Sequence, residues 1–343
     1  MLSAQYLGNR QIRIQEIEPE SPRPGEVQIE VAYVGICGSD LHVLQGDMDG
    51  RVQVPAILGH EMSGVIAALG DGVTGWQVGD HVTAIPLDWD GTCPACLAGH
   101  QHVCQNLKVK GVDVPGALQG RWNVDADHLV ALPQHLRLDH AALVEPLAVA
   151  VHDVRLAELA SSDRAVVFGG GPIGVLIALV ARHAGADVVV VEISAHRQRS
   201  VAAVGFEVLD PTTTDLAAWV ADWTNGAGAD AVFEVSSAAA AVRSATDLMK
   251  VRGTLVIVAI HPEPRLMDLQ RVFLRELRIL GARVHQRTDF ERAVELLSTG
   301  VIPAEALISR IEPITATAQA FATLETGLAM KVLIDVSSAE PAT

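Results

Sequence analysis

The sequence predicts an α/β chain in which a doubly wound parallel sheet is joined to a second, barrel-like all-β domain. Three features support this. Short strand-like runs separated by glycine-rich turns fill the first part of the chain. From about Leu147, apolar runs of sheet-core length alternate with helical stretches. Between one such run and the helix after it stands the glycine triplet Gly169-x-Gly171-x-x-Gly174. Length agrees, because 343 residues exceed what one ordinary core accommodates.

In the first part, Val27 to Val34 and His81 to Ile85 read as strands, with turns at Pro24-Gly25, Gly70-Asp71-Gly72 and Gly79-Asp80. Many short strands with such turns pack as a barrel. Between Asp88 and Gly120 the periodicity fades, which predicts a protruding lobe and loop. Arg164 to Phe168 then reads as a strand, Pro172 to His183 as a helix and Val188 to Val191 as the next strand. Further strands are expected at Glu207 to Leu209, Ala231 to Val235, Thr254 to Ile260 and Arg278 to Val284. Helices such as Ala195 to Val204 and Ala238 to Lys250 fall between them. A helix at Asp289 to Ser298 and a strand at Lys331 to Val336 read as a return to the first domain, and Ser337 to Thr343 as a frayed end. The expected division is 1–147 for the barrel, with its lobe near 88–106, then 148–285 for the parallel sheet and 286–343 for the return.

Composition narrows the function classes. With 49% hydrophobic and 19% charged residues the chain reads as a soluble globular enzyme. A formal net charge of -16, with no long basic cluster, argues against nucleic acid and anionic membrane as partners. The start, Met1-Leu2-Ser3-Ala4-Gln5-Tyr6, lacks the features of a secretory signal, and the apolar runs are too short to span a bilayer. Three of the four cysteines crowd between Cys93 and Cys104, which fits a metal lobe in a reducing compartment. The expected location is the cytoplasm.

The glycine triplet follows a strand and opens a helix, the context in which glycines permit a tight turn and close approach to a pyrophosphate. Pro172 costs nothing in the first helical turn, and that turn, with Ile173 beside Pro172 and Gly174, faces the diphosphate charge. Glu192 ends the next strand at the spacing of a ribose-binding acid. A carboxylate there accepts from ribose hydroxyls and repels a 2′-phosphate, so NAD is the expected cofactor, with Arg197 covering the adenine face. Arg197 and Arg199 are also the residues that would hold a 2′-phosphate, were the cofactor NADP.

Cys37, His60 and Glu145 supply a thiolate, an imidazole and a carboxylate. Each alone has an ordinary structural explanation. Together they read as an open zinc site, three protein ligands and one exchangeable position. Thiolate plus one carboxylate neutralises Zn²⁺, and a second carboxylate, from Glu61, leaves the site negative.

Gly35 to His42, Gly59-His60-Glu61, Glu145-Pro146-Leu147 and the glycine loop resemble the zinc-dependent medium-chain alcohol dehydrogenase family over nearly the whole chain, Tyr6 to Val336. Glutamate at 145 matches the polyol (sorbitol), threonine and 2,3-butanediol dehydrogenase branch. The resemblance implies a GroES-like barrel carrying catalytic zinc and a Rossmann domain carrying NAD. It implies that Ser39 and His42 relay a proton and that Glu61 either binds the zinc or sits behind it, alternating with Glu145. Asp40 is a plausible partner to orient His60. The family's structural zinc lobe uses four cysteines. Here Cys93, Cys96 and Cys104 keep three positions and Asp90 takes the first, with His100 and His102 as alternative fourth ligands.

The expected reaction is hydride transfer between NAD and a small secondary alcohol, diol or polyol, or the matching ketone. The alternatives are an NADPH-dependent ketone or aldehyde reductase of the same fold and a non-catalytic dinucleotide-binding relative. Gln45 to Arg51, Gln119 to Asn123 and the stretch near Arg283 to Gln286 are expected to line the pocket. The resemblance further implies a homodimer or homotetramer pairing near Ile279 to Val284.

Overall fold

The computed structural model describes residues 1–337, so of the frayed end expected at Ser337 to Thr343 all but Ser337 lies outside the described residues, and Ser337 donates its hydroxyl to Asp335 at 2.7 Å. The chain forms two compact units, Met1–Glu145 with the segment from Gln286 onward, and Pro146–His285.

The first unit is built around the strand Glu26–Gly35. Its alternating sequence buries Val27, Ile29 and Val31 and exposes Glu30, as a pleated strand with one core face requires. It pairs antiparallel with Glu61–Leu69, with Arg121–Asp125 and with Lys331–Asp335. The last of these comes from the far end of the chain, which ties the return segment into the barrel. The registers Gly35↔Glu61 and Leu333↔Gly35 bring Cys37, Glu61 and Lys331 to one end of this sheet. Tyr6, Ile29, Leu58, Met62, Ile66 and Phe321 fill the core beneath it.

The second unit is a six-stranded parallel sheet. Its order is Glu207–Leu209, Asp187–Val191, Arg164–Phe168, Ala229–Glu234, Met249–Ile257, Arg278–Gly281. Val166, Val189, Val232 and Leu255 are buried on these strands, the apolar pattern of a sheet covered on both faces. The order reverses between Arg164–Phe168 and Ala229–Glu234, and in such sheets ligands sit outside the carboxyl ends of the strands at that reversal.

Arg164–Phe168 and Pro172–His183 fall where the periodicity places them. Several boundaries differ, and the strand expected at Thr254 to Ile260 runs instead from Met249 to Ile257. The strand expected to run from Arg278 to Val284 stops at Gly281, and Val284 takes a left-handed φ of 50°, which a continuing strand does not allow. The helix expected to reach Lys250 ends at Leu248, because Met249 already begins a strand. Among the described residues no helix is long and apolar enough to cross a membrane.

Candidate active site

Cys37 is the N-cap of the helix Gly38–Gln45, with extended backbone (φ -93°, ψ 162°). Asp40, in the first turn, accepts the Cys37 backbone N–H at 2.8 Å, so the helix start fixes both residues at once. His60 directly precedes the strand Glu61–Leu69. Its Nε2 lies 3.4 Å from Ser39 Oγ and its Nδ1 3.6 Å from Asp40 Oδ1. Asp40 thus faces the Nδ1 edge of the ring, a charge contact longer than a hydrogen bond, and leaves Nε2 on the Ser39 side.

Ligand atoms of Cys37, His60 and Glu61 lie within 4.8 Å of one another. Thiolate, imidazole and carboxylate suit zinc. The electrostatics fit a cation as well. Burial alone lowers the His60 pKa, yet Asp40, Cys37 and Glu145 outweigh it and hold the imidazole well above its ordinary range. A bound metal ion satisfies the same ring of anions in place of that proton. Glu145, in the first turn of the helix Val144–Ala157, is buried and close enough to push up His60, Glu61 and Lys331.

Lys331 joins this cluster without a motif to mark it. Its ammonium donates to Glu61 Oε1 at 2.7 Å, to Oε2 at 2.5 Å and to the Ile36 carbonyl at 3.3 Å. Lys331 is 4% exposed and Glu61 1%. The signal was a lysine at the head of the otherwise apolar strand Lys331–Asp335. Gly35 makes room for the pair, since a Cβ there would collide with Glu61 Oε2. His42 points outward, exposed, with Nδ1 2.8 Å from Asp47 Oδ2.

In the lobe, Asp90, Cys93, Cys96 and Cys104 converge within 4.8 Å and the three cysteines are free thiols. Backbone N–H groups of Asp90 and Asn106 point at Cys104 Sγ, and that of Gln105 at Cys93 Sγ. Such N–H···S contacts favour thiolates, and the N–H of Gln105 lowers the Cys93 pKa, whereas burial pushes Cys96 up to about 12. Asp90 Oδ1 accepts from Thr92 and Cys93 N–H, and Oδ2 from the Asn106 amide, which hold its carboxylate well below the ordinary range. His100 is exposed, and His102 Nδ1 lies 3.4 Å from the Gln286 amide. One aspartate and three cysteines therefore form the donor set that fits a tetrahedral zinc.

In the second unit the glycine loop closes as a cradle. Gly169 has a φ of 111°, and a Cβ on Gly174 would strike the Gly169 carbonyl. Gly171 caps the helix Pro172–His183, with Pro172 and Ile173 in its first turn. Glu192 is 6% exposed, and its Oε2 accepts the Gly170 N–H at 2.8 Å while Oε1 accepts the Ser194 N–H at 2.7 Å. Arg197 reaches over the loop, its Nη1 3.9 Å from where a Cβ of Gly171 would stand, whereas Arg199 is exposed. Close backbone, a helix N-terminus and a carboxylate at the next strand's end fit a dinucleotide.

The alcohol dehydrogenase GroES-like domain matches residues 23–134 and the zinc-binding dehydrogenase domain residues 172–299. The chain is 45% identical to the 2-dehydro-3-deoxy-L-galactonate 5-dehydrogenase of Pseudoalteromonas atlantica, over 98% of this chain and 99% of that one. This chain belongs to the zinc-dependent medium-chain alcohol dehydrogenase family. Its fold is similar to that of 2R,3R-butanediol dehydrogenase from Bacillus subtilis (TM-score 0.90, 30% identity, 98% and 99% of the two chains covered). It is also similar to that of a Sinorhizobium meliloti zinc-binding dehydrogenase bound to NADP (TM-score 0.92, 29% identity, 98% and 99% covered). The protein is an oxidoreductase of alcohols, diols or polyols that uses zinc and a nicotinamide dinucleotide.

Several side chains expected to line this dehydrogenase's pocket are engaged with the barrel itself. Gln45 donates to Glu325, Arg51 forks onto both oxygens of Asp113 at 2.6 Å, and the buried Trp122 donates to the Pro115 carbonyl. A third cluster, Asp88, Asp125 and His128, is already met by a side-chain ammonium, that of Lys110. The buried Lys110 ammonium bonds Asp88 and lies 3.3 Å from His128 Nδ1, and burial followed by Lys110 lowers the His128 pKa.

Proposed function

We propose that this dehydrogenase oxidises a secondary hydroxyl of a polyhydroxy carboxylate, or reduces the matching ketone, with NAD as the hydride carrier. The convergence of Cys37, His60 and Glu61 ligand atoms within 4.8 Å carries the chemistry. The substrate class is supported by the 45% identical relative, which is named for acting at position 5 of a deoxy keto sugar acid. Bound zinc supplies a Lewis acid that lowers the pKa of the substrate hydroxyl.

The chain's own residues do the rest. Cys37 and His60 hold the metal, with Glu61 or Glu145 as the carboxylate ligand and Asp40 orienting His60. Ser39, against His60 Nε2, receives the hydroxyl proton, and the solvent-exposed His42 is its outlet. Gly169, Gly171 and Gly174 let the pyrophosphate approach the helix start, Glu192 takes the adenosine ribose and disfavours a 2′-phosphate, and Arg197 covers the adenine. Asp90, Cys93, Cys96 and Cys104 hold a second, structural zinc. Three lobe thiols kept for a metal point to a reducing compartment, the cytoplasm. The open edge strand Arg278–Gly281, near exposed Phe273 and Leu274, supports assembly into a homodimer or homotetramer.

The test is a substrate panel with the zinc-loaded enzyme, following NADH formation. Turnover of 2-dehydro-3-deoxy sugar acids well above that of sorbitol, xylitol and butanediol is expected. Preference for an uncharged polyol would overturn the carboxylate part, and preference for NADP the cofactor part.

A further inference from the structure

Glu234 ends the strand Ala229–Glu234, directly opposite Phe168 in the register with Arg164–Phe168, at the reversal of the strand order. It is a carboxylate with no exposed surface, on a strand whose Ala229, Ala231, Val232 and Phe233 are core residues. Such a group persists only if its oxygens are satisfied. Oε1 accepts from the Ser236 N–H at 2.9 Å and from the Ser236 hydroxyl at 2.6 Å. Oε2 pairs with His261 Nε2 at 2.8 Å. His261 lies beyond the end of the neighbouring strand Met249–Ile257, in the segment before the helix Leu269–Arg275.

An ionised carboxylate only accepts, so Nε2 is the nitrogen that donates to Glu234. A neutral ring held this way presents a lone pair at Nδ1. Among the described residues that Nδ1 is buried and meets no hydrogen-bond partner. A cleft of about 470 Å³, lined also by Val242, Ile257, Arg265 and Met267, opens beside the ring. Ser236 stands against the glycine loop, its backbone 3.4 Å from where a Cβ of Gly169 would be. The Glu234–Ser236–His261 group therefore borders the glycine loop on the side away from Glu192.

That position has a meaning for a dinucleotide. Its adenosine half lies toward Glu192 and its pyrophosphate at the helix start, so the remaining half must cross the reversal toward Glu234 and His261. We infer that His261, held by Glu234, positions the nicotinamide riboside half by accepting a hydrogen bond at Nδ1. Glu234 fixes the ring and its tautomer, as outer carboxylates do for metal-bound histidines. The inference rests on the dinucleotide reading above and adds to it one residue pair and one atom.

The test compares binding of ADP, ADP-ribose and NADH to zinc-loaded wild type, His261→Ala and His261→Gln, by calorimetry or NADH fluorescence. Gln keeps a donor where Nε2 stands and removes the Nδ1 acceptor, so it should restore the melting temperature but not the affinity. ADP should bind all three proteins equally, and NADH should bind both variants about 3- to 10-fold more weakly, the worth of one hydrogen bond. Weakening of ADP-ribose as well assigns the partner to the ribose hydroxyls, and weakening of NADH alone assigns it to the carboxamide. NADH affinity equal to wild type in His261→Gln would overturn the inference, as would equal weakening of ADP. Failure of wild type itself to bind NADH would instead refute the dinucleotide reading.

Discussion

Lys331 and Glu61 form a buried ion pair beside Cys37 and His60, the candidate zinc ligands, with both carboxylate oxygens within 2.7 Å of the ammonium. Burial pushes Glu61 up despite the lysine; burial lowers Lys331, but Glu61, Cys37 and Glu145 carry it above its ordinary value. The pair alters the charge count for a zinc held at this candidate site. Zn²⁺ with one thiolate and two carboxylates is negative, and the ammonium restores neutrality. Glu61 and Glu145 can then both stay ionised beside one metal. The balance the sequence presents as a competition between two carboxylates is a balance among three groups.

Replacing Lys331 with Met leaves a buried, uncompensated carboxylate. The expected loss of stability is about 3–5 kcal/mol, the usual result of removing one partner of a buried pair. The double variant Lys331→Met with Glu61→Gln should recover most of it. Urea denaturation of the zinc-loaded proteins measures both. A single variant within 1 kcal/mol of wild type (about the worth of an exposed pair) would show that the pair carries no weight.

Zinc content separates the two metal sites. Wild type is expected to hold two zincs per chain, and Asp90→Ala and Cys37→Ala one each. Asp90→Cys should keep both, because a thiolate replaces the carboxylate in the same tetrahedral set. Cys37→Ala should lose turnover while NADH binding survives, whereas Asp90→Ala should keep turnover until the lobe opens on heating. Metal analysis with activity decides it, and a single zinc in wild type would show the lobe to be a thiol cluster without metal.

What the sequence shows and what it hides follow from how far apart the contributing residues are. The glycine loop is legible because strand, turn, helix and acid lie within one continuous stretch, and Gly169 to Glu192 close on each other through the Gly170 N–H. Cys37 and His60 are legible because neighbours such as Gly38, Ser39 and Gly59 mark them. Lys331 was hidden because its partner lies 270 residues earlier and only strand pairing in the barrel brings the two together. Glu234 and His261 were hidden for a related reason: a glutamate ending an apolar strand reads as a strand terminus until the next strand delivers its histidine.

Cofactor choice should follow Glu192. In Glu192→Ala the ribose hydroxyls lose their acceptor and the 2′-phosphate loses its repulsion, while Arg197 and Arg199 remain. The Gly170 N–H also loses its partner, so NAD binding should weaken through the loop as well. The ratio of kcat/KM for NAD over NADP is expected to fall at least about tenfold, on the order of one charge-assisted hydrogen bond. Steady-state kinetics with both cofactors reads it, and an unchanged ratio would place the discrimination elsewhere.

Arg51 and Asp113 give an acid-dependent contribution whose sign is fixed by the structure. Their bidentate contact ties the segment after the Cys37 helix to the loop whose Gly111 packs against Gly59, the residue before His60. Burial raises the Asp113 pKa, but Arg51 and the Val109 N–H outweigh it and leave the carboxyl below its ordinary value. A carboxyl depressed in the folded state contributes stability above its unfolded pKa of about 3.9, and loses it as pH falls through the lower folded value. Arg51 is 42% exposed, so solvent screening holds the contribution to about 1 kcal/mol or less. Asp113→Asn should therefore melt below wild type at neutral pH, with the gap closing as pH drops under about 4. Melting curves across a pH series test this, and a gap that persists undiminished into acid would mean that the loop is held by packing rather than by the charge on Asp113.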